Sequence, residues 1–319
     1  MRHILAIPVV VTVALAAGQS FADEKLKVVA SFSILGDMTA RIGGGKIDLT
    51  TLVGAGGDAH IFEPRPADAE TVAKAQVMIV NGLGFEGWLD RLVEASGSKA
   101  KIAVATAGVE TIKPGEDHDE DGHEEAGHAE GEAHADQGHD HGDLDPHAWQ
   151  SVNNAIIYVA NITQALCDAD RANCENYKAN SAAYTAELAA LDAEIRSAIR
   201  ALPEDRRTAI TGHDAFGYFA HAYGVTFLAP EGVSTESEAS AADVARLITQ
   251  IKEDKASALF VESIADPRLI EQIGKDTGVK VGGTLYSDAL SGANGPAPTY
   301  VDMMRYNART LTETLAARS

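Results

Sequence analysis

Histidine and acidic residues are concentrated in one stretch near the middle of the 319-residue sequence. Between Glu116 and Asp145 there are six histidines and thirteen carboxylates, and no lysine or arginine interrupts them. Neutral imidazole is the common protein ligand of borderline metal ions, so this stretch indicates a metal-related role. A solvated acidic spacer is the plainer alternative, but the histidine content argues against it. The six histidines are His118, His123, His128, His134, His139 and His141.

The first 22 residues have the pattern of a secretory signal peptide. Arg2 precedes an apolar run from Ile4 to Ala17, and Ser20-Phe21-Ala22 offers small residues for cleavage after Ala22. The run is shorter than the roughly 20 apolar residues that span a membrane. No cysteine lies near the cleavage site. We therefore expect a soluble periplasmic protein that is not lipid-anchored.

The formal net charge of −21 is largely local, because thirteen acidic residues lie in the histidine-rich stretch. Nucleic-acid binding requires a basic face, and the composition gives no support for one. The two cysteines, Cys167 and Cys174, lie between two helical patterns. In an exported protein this pair predicts a disulfide. Metal ligation is the alternative, although their spacing is not a familiar zinc pattern.

Short apolar runs alternate with helical patterns in both halves of the chain, which indicates parallel sheets covered on both faces. In the first half the predicted strands are Lys25–Phe32, Leu49–Gly54, Val77–Asn81 and Ile102–Thr106, with helices at Ile34–Ile42, Pro66–Lys74 and Trp88–Ala95. In the second half the predicted strands are Thr208–Thr211, Val225–Leu228, Ala258–Val261 and Val279–Leu285, with helices at Ala215–Tyr223, Ala241–Glu253, Pro267–Thr277 and Tyr300–Ala317. We expect an α/β fold with two lobes, each built on a four-stranded parallel sheet flanked by helices.

A long helical pattern separates the two halves. After the Cys167–Cys174 interval it continues from Tyr177 to Leu202, and Pro203 ends it. A helix of about 30 residues is about 45 Å long, more than one small lobe needs, so we interpret it as a rigid connector. The predicted division is a signal peptide at 1–22, a first lobe at 23–170 with the His-rich loop at 116–145, a connecting helix at 171–202 and a second lobe at 203–319.

Residues that can bind a metal follow four of the predicted strands. His60 and His147 follow the second and fourth strands of the first half, and His213 and Asp288 follow the first and last strands of the second half. Ligands of open parallel sheets bind beyond the carboxyl ends of the strands. Three imidazoles and one carboxylate suit tetrahedral Zn²⁺, with bonds of about 2.0–2.2 Å. We therefore predict a metal site in the cleft between the lobes, to which each lobe contributes two ligands.

Each of these residues also has a plainer interpretation. His60 could be an exposed loop residue, His147 a helix-entry residue, His213 a buried histidine bonded to a carbonyl, and Asp288 a turn or cap residue. Their common position at strand ends makes the set more persuasive than its members. Glu262, at the end of a strand in the second half, is predicted to face the cleft or to hydrogen-bond to a ligand.

Four segments carry a family resemblance: Gly57-Asp58-Ala59-His60-Ile61-Phe62-Glu63-Pro64, Asp145-Pro146-His147-Ala148-Trp149, Thr211-Gly212-His213-Asp214-Ala215-Phe216 and Tyr286-Ser287-Asp288. Their order and context resemble the cluster A-I solute-binding proteins of ABC transporters, in particular the zinc-binding branch. The resemblance covers essentially the whole chain after the signal peptide. It implies two α/β lobes joined by a rigid long helix, with the metal held by His60, His147, His213 and Asp288. The manganese-binding branch usually has Glu where this chain has His213, and many relatives have Pro where it has Ala59.

The resemblance implies a periplasmic protein that captures Zn²⁺ and delivers it to a membrane permease driven by a cytoplasmic ATPase. We expect a monomer without enzymatic activity. The six loop histidines are expected to hold additional, weaker zinc and to concentrate it, to hand it on, or to accept it from a periplasmic metallochaperone. Three alternatives stay open: a periplasmic zinc buffer, a zinc hydrolase, and manganese or iron as the physiological ion. The hydrolase alternative has less support than the zinc buffer, since the sequence has no His-Glu-x-x-His pair.

Overall fold

The structure, a computed structural model, describes residues 24–114, 144–237, 239–254 and 258–317. The predicted signal peptide at 1–22 and the six loop histidines lie outside these residues. Among the described residues, no helix combines the length and the hydropathy that crossing a membrane requires.

Two four-stranded parallel sheets, each flanked by helices, form two α/β lobes, as the sequence predicted. The first lobe contains β1 (Leu26–Phe32), α1 (Ser33–Gly43), β2 (Ile47–Val53), α2 (Pro66–Lys74), β3 (Val77–Val80), α3 (Leu89–Ser96), β4 (Lys101–Val104) and α4 (Val152–Ala169). The second contains β5 (Thr208–Ile210), α6 (Gly217–Tyr223), β6 (Thr226–Leu228), α7 (Ala241–Asp254), β7 (Ala258–Glu262), α8 (Arg268–Thr277), β8 (Val281–Leu285) and α9 (Tyr300–Ala316). The helix α5 (Cys174–Arg200) lies between them in the chain.

The two sheets have the same topology. The strand order is β2-β1-β3-β4 in the first lobe and β6-β5-β7-β8 in the second, and every pairing is parallel. In the first lobe α1 and α4 pack on one face of the sheet, while α2 packs against β1 and α3. The central strand β1 is consequently buried along nearly all its length, which is why it reads as a continuous apolar run. The carboxyl ends of the strands in each lobe face the seam between the lobes.

The long helix α5 contacts both lobes, since it packs against α1, α4, α6 and α9. Its buried residues recur at helical spacing and form one apolar side: Tyr177, Tyr184, Leu188, Leu191, Ile195 and Ile199. A disulfide between Cys167 and Cys174 joins the end of α4 to the first residue of α5, which confirms the predicted pairing. The limits of the lobes at 23–170 and 203–319 stay predictions.

The apolar interior is divided unequally. One core runs from the first sheet through α4 and α5 to α9 and to one face of the second sheet. A smaller, separate cluster lies on the other face of the second sheet, under α7 and α8; it consists of Ile210, Leu228, Leu247, Ile251, Leu259, Ile270 and Ile273. The alternation along β7 explains the division, because Leu259 points into the small cluster and Phe260 into the large core.

Candidate metal centre

The four residues predicted as metal ligands converge at the seam of the lobes. His60 lies in the loop between β2 and α2, and His147 directly precedes the 3₁₀ turn Ala148–Gln150. His213 follows β5 and Asp288 follows β8. One potential ligand atom from each of the four lies within 4.8 Å of the others. Parallel strands bring this about, since their carboxyl ends meet at one edge of each sheet.

Four distances between the side chains are close to those within a tetrahedral metal shell, and Asp288 contributes both of its oxygens to them. Asp288 Oδ2 lies 3.2 Å from His60 Nε2 and 3.2 Å from His213 Nε2, and Asp288 Oδ1 lies 3.5 Å from His147 Nε2. The Nε2 atoms of His60 and His147 are 3.3 Å apart. Donors at about 2.1 Å from a tetrahedral ion are separated from one another by about 3.4 Å. The donor positions therefore suit one small ion at their centre.

The carboxylate of Asp288 is fully buried, and within the described residues no hydrogen bond satisfies either of its oxygens. Leaving a buried carboxylate without partners is energetically costly unless a positive charge compensates it. The surrounding imidazoles supply that charge when protonated, and a divalent cation would supply it when they are neutral. A buried carboxylate whose close polar neighbours are three metal-capable imidazoles is the strongest sign that the site is built for a cation.

Two further carboxylates contact the Nδ1 atoms of two histidines of the site. Asp145 Oδ1 lies 2.8 Å from His147 Nδ1 and also accepts the backbone N–H of His147 at 2.8 Å. Glu262 Oε2 lies 2.7 Å from His213 Nδ1, and its other oxygen accepts the backbone N–H groups of Gly212 and His213. A carboxylate at Nδ1 keeps a proton on that nitrogen and leaves the Nε2 lone pair free for a metal. Each lobe thus has one histidine oriented by a buried acid.

The pKa values of the site reflect this concentration of charge. Burial alone would lower the pKa of His147, but the carboxylates of Asp288 and Asp145 raise it to about 9. Burial acts in the same way on His213, and the charges of Glu262 and Asp288 raise its pKa well above the ordinary value. Burial would raise the pKa of Asp288, but His147 and His213 hold it well below its usual range. Without metal, protons on the imidazoles therefore balance the acids.

His60 is positioned through its backbone and its ring face. Its N–H donates to Asp58 Oδ1 at 2.9 Å, and Asp58 Oδ2 accepts the hydroxyl of Thr235 from the second lobe at 2.6 Å. The ring of Phe85 lies edge-on to the imidazole, with 4.6 Å between centroids. These contacts bury His60 to 5% exposure, so it is not the exposed loop residue of the plainer interpretation.

An aromatic wall closes one side of the site. Besides its contact with His60, Phe85 lies 5.9 Å from the ring of His147, and Trp149 lies 5.2 Å from the same ring. Phe32 packs behind both, 4.9 Å from Phe85 and 5.0 Å from Trp149. The faces and edges of these rings form no strong hydrogen bonds with water, so this wall excludes solvent from one side of the centre.

A constrained loop holds Phe85 in that wall. Residues 82–84 all have positive φ, with values of 87°, 55° and 79°, and the middle one is Leu83, for which this conformation is uncommon. The buried carboxylate of Glu86 stabilises the loop by accepting the N–H of Asn81 at 2.6 Å and the hydroxyl of Ser31 at 2.6 Å. Sequence reasoning did not identify this loop, although the glycines on either side of Leu83 were a signal of unusual backbone.

Asp145, which contacts His147, was also missed, because sequence reasoning considered only His147 itself at this entry to a helix. A signal was present in the spacing. Both first-lobe histidines have an aspartate two positions earlier, Asp58 before His60 and Asp145 before His147, and in both cases it accepts the N–H of the histidine. Glu262 was named as a candidate for hydrogen-bonding to a ligand, and the structure places it against His213.

Comparisons with known proteins agree with the fold and show the family of the chain. The sequence profile of the family described as "Zinc-uptake complex component A periplasmic" (ZnuA) matches residues 28–314. The chain is 33% identical to the manganese-binding lipoprotein MntA of Halalkalibacterium halodurans, over 94% of this chain and 91% of that protein. It is 34% identical to the iron ABC transporter substrate-binding lipoprotein MtsA of Streptococcus pyogenes, over 92% of this chain and 90% of that protein.

Among solved structures, the periplasmic zinc-binding protein TroA of Treponema pallidum superposes with a TM-score of 0.78. The two chains are 28% identical, and the match covers 91% of this chain and 99% of TroA. These relatives are named as metal-binding proteins or as substrate-binding parts of ABC transporters, not as enzymes, in agreement with the prediction that this chain is not an enzyme. Their names cover zinc, manganese and iron, so they do not single out one ion.

One prediction is wrong. The sequence was interpreted as a protein that is not lipid-anchored, because no cysteine lies near Ala22. MntA and MtsA are named lipoproteins, and these relatives match this chain over at least nine tenths of its length. The missing cysteine is a single local feature of the amino-terminal region, whereas the likeness to lipoproteins extends over the whole chain and outweighs it. What remains of the prediction is a location outside the cytoplasm, as in the periplasmic family.

Proposed function

Because the chain belongs to the family of the periplasmic zinc-uptake complex component A, we propose that it captures Zn²⁺ outside the cytoplasm and delivers it to an ABC importer. In this proposal His60, His147, His213 and Asp288 are the four ligands of the ion. A membrane permease and a cytoplasmic ATPase are the partners that would take over the cargo. The observation that carries the proposal is the buried cluster of three imidazoles and one carboxylate whose potential ligand atoms all lie within 4.8 Å of one another.

The donor chemistry favours zinc over manganese. Three of the four donors are imidazole nitrogens, which suit Zn²⁺, whereas Mn²⁺ favours carboxylate, carbonyl and water oxygens and a six-coordinate shell. The aromatic wall of Phe85 and Trp149 leaves one side of the centre closed to the water ligands that such a shell needs. His213 is the decisive residue, because a carboxylate at this position would give two nitrogen and two oxygen donors.

The variant His213→Glu tests the choice of ion. Zn²⁺ exceeds Mn²⁺ in affinity at most nitrogen-containing sites, so the ratio of the two affinities in the wild type is compared with that in the variant. We expect the preference for Zn²⁺ to fall by on the order of tenfold or more in His213→Glu, measured by competition with chelators at neutral pH. An unchanged ratio would show that the third donor does not select the ion.

The histidine-rich stretch from His118 to His141 is proposed to hold additional zinc that exchanges more readily than the buried ion. The composition of this stretch, rich in Gly, Ala and Asp, offers little apolar surface with which to bury a metal site, so we expect its affinity to be lower. A periplasmic metallochaperone is the proposed donor of this zinc. A variant that lacks 117–141 should keep one tightly bound Zn²⁺ per chain and lose the weaker ones. Full stoichiometry in this variant would contradict the accessory role.

The zinc hydrolase alternative receives no support, since catalysis needs an open metal position for water and a base beside it. The candidate ligands are 0–5% exposed, and the two acids closest to the imidazoles, Asp145 and Glu262, are already in contact with His147 and His213. A zinc buffer without a transporter would use the same four ligands. Binding of the metal-loaded protein to its permease in reconstituted membranes separates transport from buffering.

A further inference from the structure

We propose that the first lobe positions Asp288, although this residue follows a strand of the second lobe, so that a metal ion meets three preassembled ligands and His213 alone completes the set. The inference rests on the proposed role of the four residues as metal ligands. It departs from the even division that the sequence suggested, with two ligands from each lobe.

The first observation concerns the residue before Asp288. The carbonyl of Ser287 accepts two hydrogen bonds from the first lobe, from Trp149 Nε1 at 3.0 Å and from Gln150 Nε2 at 2.8 Å. Both donors belong to the 3₁₀ turn that directly follows His147. Asp288 and His147 are therefore tied to the same short segment of backbone.

The second observation concerns the residues after Asp288. The N–H of Leu290 donates to Ser33 Oγ at 3.0 Å, and the carbonyl of Leu290 accepts the N–H of Gly56 at 2.9 Å. Ser33 is the first residue of α1, and Gly56 lies in the loop that carries His60. The backbone of Asp288 is thus held on both sides by the two first-lobe segments that present the other ligands.

Further along, the start of α9 is fixed to the same lobe. The N–H of Tyr300 donates to the partly buried carboxylate of Asp37 at 2.9 Å, and its hydroxyl donates to the carbonyl of Trp149 at 2.7 Å. Leu290, Ala297 and Tyr300 are buried in the large core that both lobes share. The segment from Ser287 to Tyr300 is consequently attached to the first lobe by hydrogen bonds at both of its ends.

His213 is held differently, by the second lobe itself. The N–H groups of Gly212 and His213 donate to Glu262 at the end of β7, and the N–H of Thr211 donates to the carbonyl of Leu228 at the end of β6. The strand before it, β5, has three residues; its Ile210 packs into the small separate cluster under α7 and α8, and its Ala209 packs into the large core. The arm formed by His213 and Glu262 is therefore positioned by hydrogen bonds within the second lobe, whereas the hydrogen bonds beside Asp288 come from the first lobe.

Amide hydrogen exchange on the metal-free protein tests this division without any bound ion. The amides of Leu290 and Gly56 report the attachment of Asp288, and those of Gly212 and His213 report the arm. After correction for intrinsic rates, we expect Leu290 and Gly56 to exchange about tenfold or more slowly than Gly212 and His213. Equal exchange of Leu290 and His213 in the metal-free protein would overturn the inference.

Adding stoichiometric Zn²⁺ gives the second part of the experiment. We expect it to slow exchange of the Gly212 and His213 amides by about tenfold or more, and that of the Leu290 amide by less than about threefold. A larger effect at Leu290 than at His213 would overturn the inference. Failure to bind Zn²⁺ at all would count against the proposed function, whereas the metal-free comparison would still decide where Asp288 is attached.

The variant Ser33→Ala removes one attachment, and Ser98→Ala is its matched control. Ser98 is a first-lobe serine whose hydroxyl donates to the carbonyl of Val72, away from the site. In Ser33→Ala we expect faster exchange at Leu290, unchanged exchange at His213, and Zn²⁺ affinity about tenfold weaker, as for other residues that hold a metal ligand in place. If Ser33 had only a structural role, Ser33→Ala would change exchange at Leu290 and at His213 equally, and it would change Zn²⁺ affinity no more than Ser98→Ala does. That result would refute the positioning role.

Discussion

The two lobes have the same strand order, but their strand lengths and cores predict different rigidity. In the first lobe β1 and β2 each have seven residues, and their core continues into α4 and α5. In the second lobe β5 and β6 each have three residues, and one face of the sheet rests on a small cluster of its own. The first lobe therefore supports the site with a large, continuous core. The second lobe adds the shorter strands β5 and β6, whose sheet packs on one face against a separate cluster.

The comparison teaches that topology alone does not tell which lobe holds a ligand. His213 and Asp288 both follow strands of the second sheet, yet the hydrogen bonds beside Asp288 come from Trp149, Gln150 and Ser33. Hydrogen bonding, rather than chain order, determines with which body a loop moves. Five experiments can break or sharpen this contrast between the lobes.

The largest effect is expected from removing the second lobe's own ligand. Zinc sites with four protein donors bind with roughly 10–16 kcal/mol at neutral pH, so one donor contributes roughly 3 kcal/mol, about a hundredfold in affinity or more. We expect His213→Ala to weaken Zn²⁺ binding by at least that factor in a chelator competition titration. The control is His221→Ala, which removes an exposed histidine of α6 in the same lobe. Unchanged affinity in His213→Ala would refute the metal assignment.

A similarly large effect is expected from pH. The pKa of His147 is raised to about 9, so at neutral pH metal must displace a proton from it, and affinity should rise about tenfold per pH unit for each proton released, up to about pH 9. His213, whose pKa is also raised, contributes in the same direction. Calorimetry in buffers of different ionisation enthalpy measures the protons released. Affinity that stops rising near pH 7 would show that the two histidines are neutral before metal arrives.

The same pKa shifts determine the stability of the metal-free protein. A histidine with a raised pKa stabilises the folded state fully below its unfolded value of about 6.5, and this contribution is lost as the pH rises through about 9. The lowered pKa of Asp288 adds stability that is lost when the pH falls below its usual range near 3.8. The unfolding temperature of the metal-free protein should therefore fall as the pH rises from 6.5 to 9. In Asp288→Asn the unfolding temperature should depend less on pH over this range.

A smaller effect is expected from the two acids behind the ligands. Neutral isosteres keep the shape but remove the charge at Nδ1, and such changes typically weaken metal binding 10–100-fold. We expect Asp145→Asn and Glu262→Gln to fall in this range. If the His213 arm completes the site, Glu262→Gln should chiefly slow Zn²⁺ association in stopped-flow measurements, and Asp145→Asn should chiefly speed dissociation. Identical kinetic effects of the two variants would remove the proposed difference between the lobes.

The smallest effect on metal binding is expected from the disulfide, which lies at the junction of α4 and α5. Closing a loop of this length stabilises a fold by about 2 kcal/mol through the unfolded state. We expect Cys167→Ser with Cys174→Ser to lower the free energy of unfolding by that amount and to leave the Zn²⁺ affinity within about twofold. A large loss of affinity would mean that α5 transmits strain from this junction to the site.

Much of the fold and the identity of the candidate ligands could be predicted, because both depend on local patterns. The apolar runs of β1 and β3 follow from burial on both faces, and His60, His147, His213 and Asp288 were found from their positions after strands. The supporting groups could not be predicted in the same way. Phe85 reaches the site through a backbone turn of positive φ, and Ser33 meets Leu290 across most of the chain length. Such contacts depend on tertiary packing that no short window of sequence contains.

The burial of the four candidate ligands determines how an ion would leave. His147 and Asp288 have no exposed surface and His213 has 1%, so a chelator in solution cannot reach the ion while the protein stays closed. Exchange must then proceed through a transient opening, and its rate would become independent of chelator concentration once every opening leads to capture. Residence time and affinity are thereby separate properties of this protein, and a partner that holds it open could accelerate delivery without weakening the capture that precedes it.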